Sequence, residues 1–163
     1  MLVAILSDVH DNTTNLLAAL AEAEDQGCRH LLFTGDMTML STFRTLREEW
    51  QYGMDLVFGN NEFNRGDFFR LAELMPDTRL HGDEADITLA DRRIYLSHYP
   101  HLAAQALNSG QYDAVFFGHT HTAHQQLVGR TLLANPGEIC GVRSTPSYAV
   151  YNTDDNSLHH YTL

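Results

Sequence analysis

Short apolar runs that stop abruptly at polar residues constrain this chain more than any other feature of its sequence. Leu2–Leu6 is five apolar residues followed at once by Ser7, Asp8, Val9, His10, Asp11 and Asn12. An unbroken run of that length suits a strand buried on both faces, whereas a half-exposed strand alternates. The plan recurs: residues 30–34 run into Gly35-Asp36, and residues 55–58 into Gly59-Asn60-Asn61-Glu62. Helical spacing fills the intervals. Leu16, Leu17, Leu20 and Ala23 share one face, with Thr13 or Thr14 placed to cap the helix and Gly27 to end it. Residues 41–50 read as a second helix capped by Ser41, and a third starts near Asp67 and stops before Pro76. Strands alternating with helices predict right-handed crossovers and a parallel sheet.

The second half is richer in strands. Ile87, Leu89, Ile94 and Leu96 flank Ala90-Asp91-Arg92 with alternating polarity, which predicts a hairpin whose second strand delivers Ser97-His98. Residues 101–108 form a predicted helix ending at Ser109-Gly110, and residues 114–117 a strand ending in Gly118-His119-Thr120-His121. Two more hairpins are predicted, residues 125–128 with 131–134 through Gly129-Arg130, and residues 147–152 with 158–163. No linker or low-complexity segment interrupts the 163 residues, so one domain spanning residues 1–163 is expected.

Charge narrows the function. Ten Lys plus Arg against 21 Asp plus Glu give a formal net charge of −11, which repels polyanions and argues against a nucleic-acid duplex or an anionic membrane surface as partner. A small anionic substrate remains compatible where a local cation reverses the field. Cys28 and Cys140 are too few and too far apart for a disulfide framework or a thiolate metal site, which suits a reducing compartment. With no basic leader ahead of the first apolar run and no run of membrane-spanning length, a cytoplasmic protein is expected; self-association is left open.

Five strand ends supply Asp8 with His10, Asp36, Asn60, His98, and His119 with His121. Taken singly, each has a plain structural explanation: Asp36 and Asn60 as turn residues, His98 as a half-buried core histidine, the Gly-His-Thr-His segment as a polar loop. Jointly they are harder to explain that way, because every exit carries only carboxylate, imidazole or amide. Mixed nitrogen and oxygen donors without thiolate suit manganese, iron, zinc or nickel better than calcium or magnesium.

These motifs, in this order, resemble the calcineurin-like metallophosphoesterases, and in particular their small single-domain phosphodiesterase branch; Asn135-Pro136-Gly137 resembles a further segment of that branch. The resemblance implies a four-layer αββα sandwich of two mixed sheets flanked by helices. It implies two divalent metal ions, manganese first, with iron, zinc or nickel as alternatives. Asp8, His10, Asp36 and His121 would hold one ion and Asp36, Asn60, His98 and His119 the other, with Asp36 bridging. The implied reaction is hydrolysis of a small phosphodiester by in-line attack of metal-bound hydroxide, with Asn61 and His119 as the catalytic residues beside the phosphoryl group. Alternatives within the family are a phosphomonoesterase and a non-catalytic scaffold such as the retromer's metallophosphoesterase-like subunit. Every ligand position is filled here, against the scaffold. Met37-Thr38-Met39 lacks the acidic and arginine-bearing continuation of protein phosphatases, against that class.

Several positions depart from the family pattern. Asn61 stands where some relatives have a histidine able to protonate the leaving group, and an amide cannot do so; His101 and His124 are the other histidines that could donate. Asp11 and Tyr99-Pro100 replace a glycine common after each preceding histidine, and Glu138 replaces a common serine.

Overall fold

The computed structural model describes residues 1–163. In chain order it comprises β1 (Leu2–Leu6), α1 (Thr13–Asp25), β2 (His30–Phe33), α2 (Leu40–Glu49), β3 (Gly53–Leu56), α3 (Arg65–Ala72), β4 (Thr78–Leu80) and β5 (Glu84–Leu89). There follow β6 (Arg92–Ser97), α4 (Pro100–Ser109), β7 (Ala114–Phe116), β8 (His124–Val128), β9 (Thr131–Asn135), β10 (Ser147–Asn152) and β11 (Ser157–Thr162). One sheet has the order β11-β10-β1-β2-β3-β4 and the other β5-β6-β7-β9-β8. Strands β1 to β4 run parallel, with β10 antiparallel to β1; β6, β7 and β9 run parallel, with β5 and β8 antiparallel at the two edges. No helix is long and apolar enough to cross a membrane.

Burial on both faces explains the unbroken apolar runs. Ala4, Leu6, Leu31 and Phe33 pack outward against Leu16, Leu20, Phe43, Leu46 and Phe68 of α1 to α3. Their neighbours Val3, Ile5 and Leu32 face inward, against Ile94, Leu96 and Phe116 of the second sheet. Helix α4 covers the far side of that sheet through Ala103 and Ala106 on Tyr95 and Val115. The four layers are therefore helices, sheet, sheet, helix, as expected from the sequence.

Local differences from the sequence expectations have local causes. Helix α1 is capped by Asn12, whose Oδ1 accepts from the Asn15 amide at 3.1 Å, rather than by Thr13 or Thr14. Helix α2 begins at Leu40, so Ser41 lies inside it; its amino end is tied by Asp11 from another loop, which accepts from Met39 N at 3.0 Å and Thr42 Oγ1 at 2.6 Å. Strand β3 starts two residues early, at Gly53, because pairing with β2 places Gly53 opposite His30. A Cβ there would lie 2.9 Å from His30 Nδ1, so glycine permits the pairing. The three-residue edge strand β4 was not anticipated; it is too short and polar to show a period. The tight turn between β5 and β6 is Ala90-Asp91, both at positive φ (47° and 66°), as a two-residue hairpin of the right twist requires.

Asp55, in β3, is a fully buried carboxylate with four donors. His30 Nε2 donates at 2.8 Å, His81 Nε2 at 2.6 Å, and Arg79 forks onto it through Nε and Nη2, both at 2.7 Å. Burial works to raise its pKa, but these donors outweigh burial and hold the carboxyl well below the usual range. The cluster joins β2, β3 and β4 at the edge of the inter-sheet layer.

Two consequences are measurable by urea unfolding. Asp55→Ala should cost ~3 kcal/mol, the low end for breaking a buried ion pair, because the Arg79 side chain is 61% exposed and stays solvated. Since the folded-state pKa of Asp55 is lowered, its stabilisation is complete above the unfolded carboxylate value and is lost as pH falls toward the folded one. The stability gap between the native protein and Asp55→Asn should thus hold steady above about pH 5 and shrink as pH falls below it.

Candidate functional site

The carboxyl ends of the parallel strands in both sheets open along one edge, where loops after β1, β2, β3, β6 and β7 meet. Backbone hydrogen bonds lock them together: Asp8 N to Gly35 O at 3.0 Å, His10 N to Asp36 O at 3.1 Å, and Gly118 N to His98 O at 3.1 Å. His98 Nδ1 donates across the two sheets to the Thr34 carbonyl at 2.8 Å. The loop after β9 closes the ring, with Cys140 N donating to Asp8 O at 3.0 Å.

This edge brings together all seven side chains singled out as ligands, and it does so with acceptors facing acceptors. His98 is fixed as the Nδ1–H tautomer by Thr34, so its Nε2 carries a lone pair. That atom lies 3.2 Å from Asn60 Oδ1, 3.2 Å from His119 Nδ1 and 3.4 Å from Asp36 Oδ2. His119 Nδ1 is 3.0 Å from Asn60 Oδ1. On the other side, Asp36 Oδ2 is 3.5 Å from His10 Nε2, which is 3.4 Å from His121 Nε2. Asp8 Oδ1 completes this second group, 3.3 Å from His121 Nε2 and 3.8 Å from His10 Nε2.

Asp8 makes the character of the pocket plain. Its Oδ2 accepts from Ser7 Oγ at 2.6 Å and His119 N at 3.1 Å, while Oδ1 is buried with no hydrogen-bond partner. A buried carboxylate oxygen without a donor is costly, and the nearest imidazole nitrogen, His121 Nε2 at 3.3 Å, offers one only if it carries a proton. A bound cation satisfies the whole set at once. The donor chemistry, carboxylate and imidazole, therefore fits divalent metal ions.

The backbone is bent to this end. Asp8, His10, Asp36, His119 and His121 all have positive φ, between 42° and 68°. Non-glycine residues adopt that region at a cost, and a cluster of them marks a site whose geometry is imposed by its surroundings. Electrostatics follow from the same crowding. Burial works to raise the Asp36 pKa, but the attraction of a protonated His98 beside it and two hydrogen bonds from Asn61 prevail and hold it well below the usual carboxylate range. Burial opposes protonation of His98, yet Asp36 raises its pKa; the nearby carboxylates of Asp8 and Asp36 raise that of His10, and burial lowers that of His119.

Asn61, the candidate beside the phosphoryl group, is engaged with Asp36, donating from its backbone N at 2.9 Å and its Nδ2 at 2.6 Å. His119 stands exposed at the mouth, its ring 5.6 Å from that of Tyr99, which lies 5.6 Å from His101. His124 lies in the fully exposed strand β8 and belongs to none of these contacts.

Three supporting carboxylates had no role assigned from the sequence. Asp11 ties α2 to the loop after His10. Glu62, in the Gly-Asn-Asn-Glu segment, accepts from Gly59 N at 2.7 Å and from Met37 N, binding the loop after β3 to that after β2. Glu138 accepts from His121 Nδ1 and, at 2.8 Å, from Cys140 Sγ. Burial works to raise its pKa, but Cys140, His121 and backbone amides bring it down to about 2. Only the departure from the family pattern at Asp11 and Glu138 pointed to them, since their partners lie in other loops.

A family model described as the calcineurin-like phosphoesterase superfamily domain matches residues 1–156. Phosphodiesterase MJ0936 of Methanocaldococcus jannaschii is 27% identical over 169 residues, covering 100% of this chain and 99% of that protein. Among solved structures, an archaeal phosphodiesterase superposes with a TM-score of 0.92 at 24% identity over 100% of both chains. Vps29 of Entamoeba histolytica complexed with zinc gives 0.70 at 21% identity, over 100% of this chain and 93% of that one. YfcE, a phosphoesterase of E. coli, gives 0.69 at 17% identity over 99% of each. At these identities the structural likenesses establish the fold.

Gly59 offers a direct test of how tightly the pocket is set. A Cβ there would lie 2.1 Å from Asp36 Oδ1 and 2.7 Å from Asp36 N, so Gly59→Ala must displace that carboxylate. Overpacking of this kind costs about 1–3 kcal/mol. Any rise in melting temperature that divalent metal ions produce in the native protein should nearly vanish in Gly59→Ala while the metal-free variant still unfolds cooperatively. An undiminished rise shows that Asp36 does not set the pocket.

Proposed function

Since the chain belongs to the calcineurin-like phosphoesterase superfamily, we propose that it is a hydrolase of small phosphodiesters working at a two-metal centre. Asp8, His10, Asp36 and His121 would hold one divalent ion, and Asp36, Asn60, His98 and His119 the other, with manganese the first expectation. The observation that carries this reading is Asp36 Oδ2, which lies between His10 Nε2 at 3.5 Å and His98 Nε2 at 3.4 Å, one carboxylate oxygen between two nitrogen donors. Divalent ions held there supply Lewis-acid polarisation of phosphoryl oxygens and lower the pKa of bound water toward neutrality.

The protein's own contribution is to place and orient. Asp36 is supported in a buried position by two hydrogen bonds from Asn61, so its carboxylate would remain available to both ions. Asp8 is held by Ser7 and the His119 amide with one oxygen left over for the pocket. With neutral histidines, two carboxylates would offset only half the charge of two divalent ions, so an acidic protein would attract an anionic ester at this edge. Asn61 and His119 are the residues assigned to the substrate side. Asn61 has no acidic proton to give and its amide already serves Asp36, so departure of the leaving group proceeds with little protonation by the protein. That favours diesters with stable leaving groups. Met39 and Phe63, exposed at 55% and 71% on the loops carrying Asp36 and Asn60, provide apolar surface for an organic substituent. The phosphodiesterase from Methanocaldococcus jannaschii, similar along its full length, supports diester over monoester.

Metal content separates the bridging role from the rest. Asp36→Asn should lower binding of both ions, while His10→Ala should mainly remove one; elemental analysis and reactivation after chelation read the difference. Full activity in metal-free Asp36→Asn overturns the two-metal assignment.

Substrate preference is tested with purified, metal-loaded protein on mono- and diesters over a range of leaving groups. Aryl diesters should be cleaved fastest, with rates falling steeply toward alkyl esters, because general acid catalysis worth about 10²–10⁴ is missing. Asn61→His should help alkyl esters more than aryl ones. Monoesters cleaved far faster than diesters across the panel assign the chain to the monoesterases instead. A shallow dependence on leaving group that His101→Ala or His124→Ala abolishes identifies another proton donor.

A further inference from the structure

Glu138 is fully buried, and its two oxygens have divided duties. Oε1 accepts from Arg143 N at 2.6 Å, from Ser144 N and from Ser144 Oγ at 3.2 Å, folding the loop that follows β9 around it. Oε2 accepts from Cys140 Sγ at 2.8 Å and from His121 Nδ1. His121 therefore carries its proton on Nδ1, and its Nε2 lone pair faces Asp8 Oδ1 at 3.3 Å and His10 Nε2 at 3.4 Å. A histidine free to exchange tautomers offers the pocket a donor for part of the time, and a donor there excludes a cation.

We propose that Glu138 is a positioning residue that locks His121 in the Nδ1–H tautomer, with Nε2 presented to the pocket, and fastens the loop at residues 141–144 to that same ligand. The metal-facing part of this inference rests on the two-ion reading above; the tautomer does not. A carboxylate behind a ligating imidazole fixes the ring's rotation and makes its lone pair more basic. The shared carboxylate also couples the two sides: occupancy at His121 Nε2 strengthens its Nδ1–H bond to Glu138 and so the order of the loop, and by reciprocity an ordered loop favours occupancy.

Glutamine is the informative replacement because it keeps size and loses one acceptor. If its single oxygen stays on the amides of Arg143 and Ser144, its NH₂ faces His121 Nδ1, and the ring can accept there only by moving its own proton to Nε2. The test uses the full chain in its metal-free form, with histidine labelled by ¹⁵N, at a pH above histidine's ordinary titration range. Long-range ¹H–¹⁵N spectra should show His121 as Nδ1–H in the native protein and as Nε2–H in Glu138→Gln. Chelator competition with manganese should show one ion weakened by about 10- to 100-fold in Glu138→Gln and the other nearly unchanged. Amide exchange at Arg143 and Ser144 should slow on manganese addition to the native protein and not to the variant.

The inference is overturned if His121 is Nε2–H in the native protein, if Glu138→Gln keeps both tautomer and affinities, or if both ions weaken equally, as general structural damage would cause. Should the variant fail to fold, the native tautomer still decides. Should the native protein bind no divalent ion, the two-ion reading falls while the tautomer measurement continues to judge Glu138 alone.

Discussion

The hydrogen bond from His98 Nδ1 to the carbonyl of Thr34 is the point at which the two sheets are fastened at their functional edge. One partner follows β2 in the first sheet, the other follows β6 in the second, and both are buried. The bond fixes the tautomer of His98 and therefore the direction of its lone pair. It also fixes how far apart the two halves of the pocket stand, since Asp8, His10, Asp36 and Asn60 hang from one sheet and His98, His119 and His121 from the other. The inter-sheet core sets that spacing from below. Val3, Ile5 and Leu32 meet Ile94, Leu96 and Phe116, and the Phe116 ring packs edge-on against Tyr151 at 5.1 Å. A slide by one side chain's width would separate acceptors that now stand within 3.5 Å of each other.

Crowding of this kind is expensive, and the fold meets the cost with rigidity around it. The bent backbones at Asp8, His10, Asp36, His119 and His121 are each held by hydrogen bonds that reach into other loops, among them His10 N to Asp36 O and His119 N to Asp8 Oδ2. Asp11, Glu62 and Glu138 act as anchors behind them. Asp11 and Glu62 take backbone amides from a neighbouring loop, and Glu138 takes those of its own loop together with His121 from another, so three acidic side chains hold in place an edge whose own groups repel one another.

Much of this was legible in the sequence because it is written in local order. Apolar runs of four or five residues ending in Asp, Asn or His announce buried strands whose ends carry chemistry, and the order of those ends carried the family resemblance. What could not be read depends on partners far along the chain. The cap of α2 comes from Asp11 rather than from Ser41 beside it, because the loop after β1 passes the amino end of that helix. Strand β4 shows no period, being an edge of three residues held by Asp55 and its partners. Glu138 reads only as a departure from a common serine until His121 and the amides of Arg143 and Ser144 are seen to converge on it.

The division of the pocket between two sheets has a kinetic side. Its side chains run from Asp8 to His121, and no half of the set is complete until both sheets have formed and docked. Contacts closed over such sequence distances come late in folding. An ion that recognises only the finished edge therefore stabilises the native state and little that precedes it, so its effect falls on the rate of opening and leaves the rate of folding nearly untouched. The occupied edge works as a clasp: it does not help the chain find its shape, but it prolongs the time the chain keeps it.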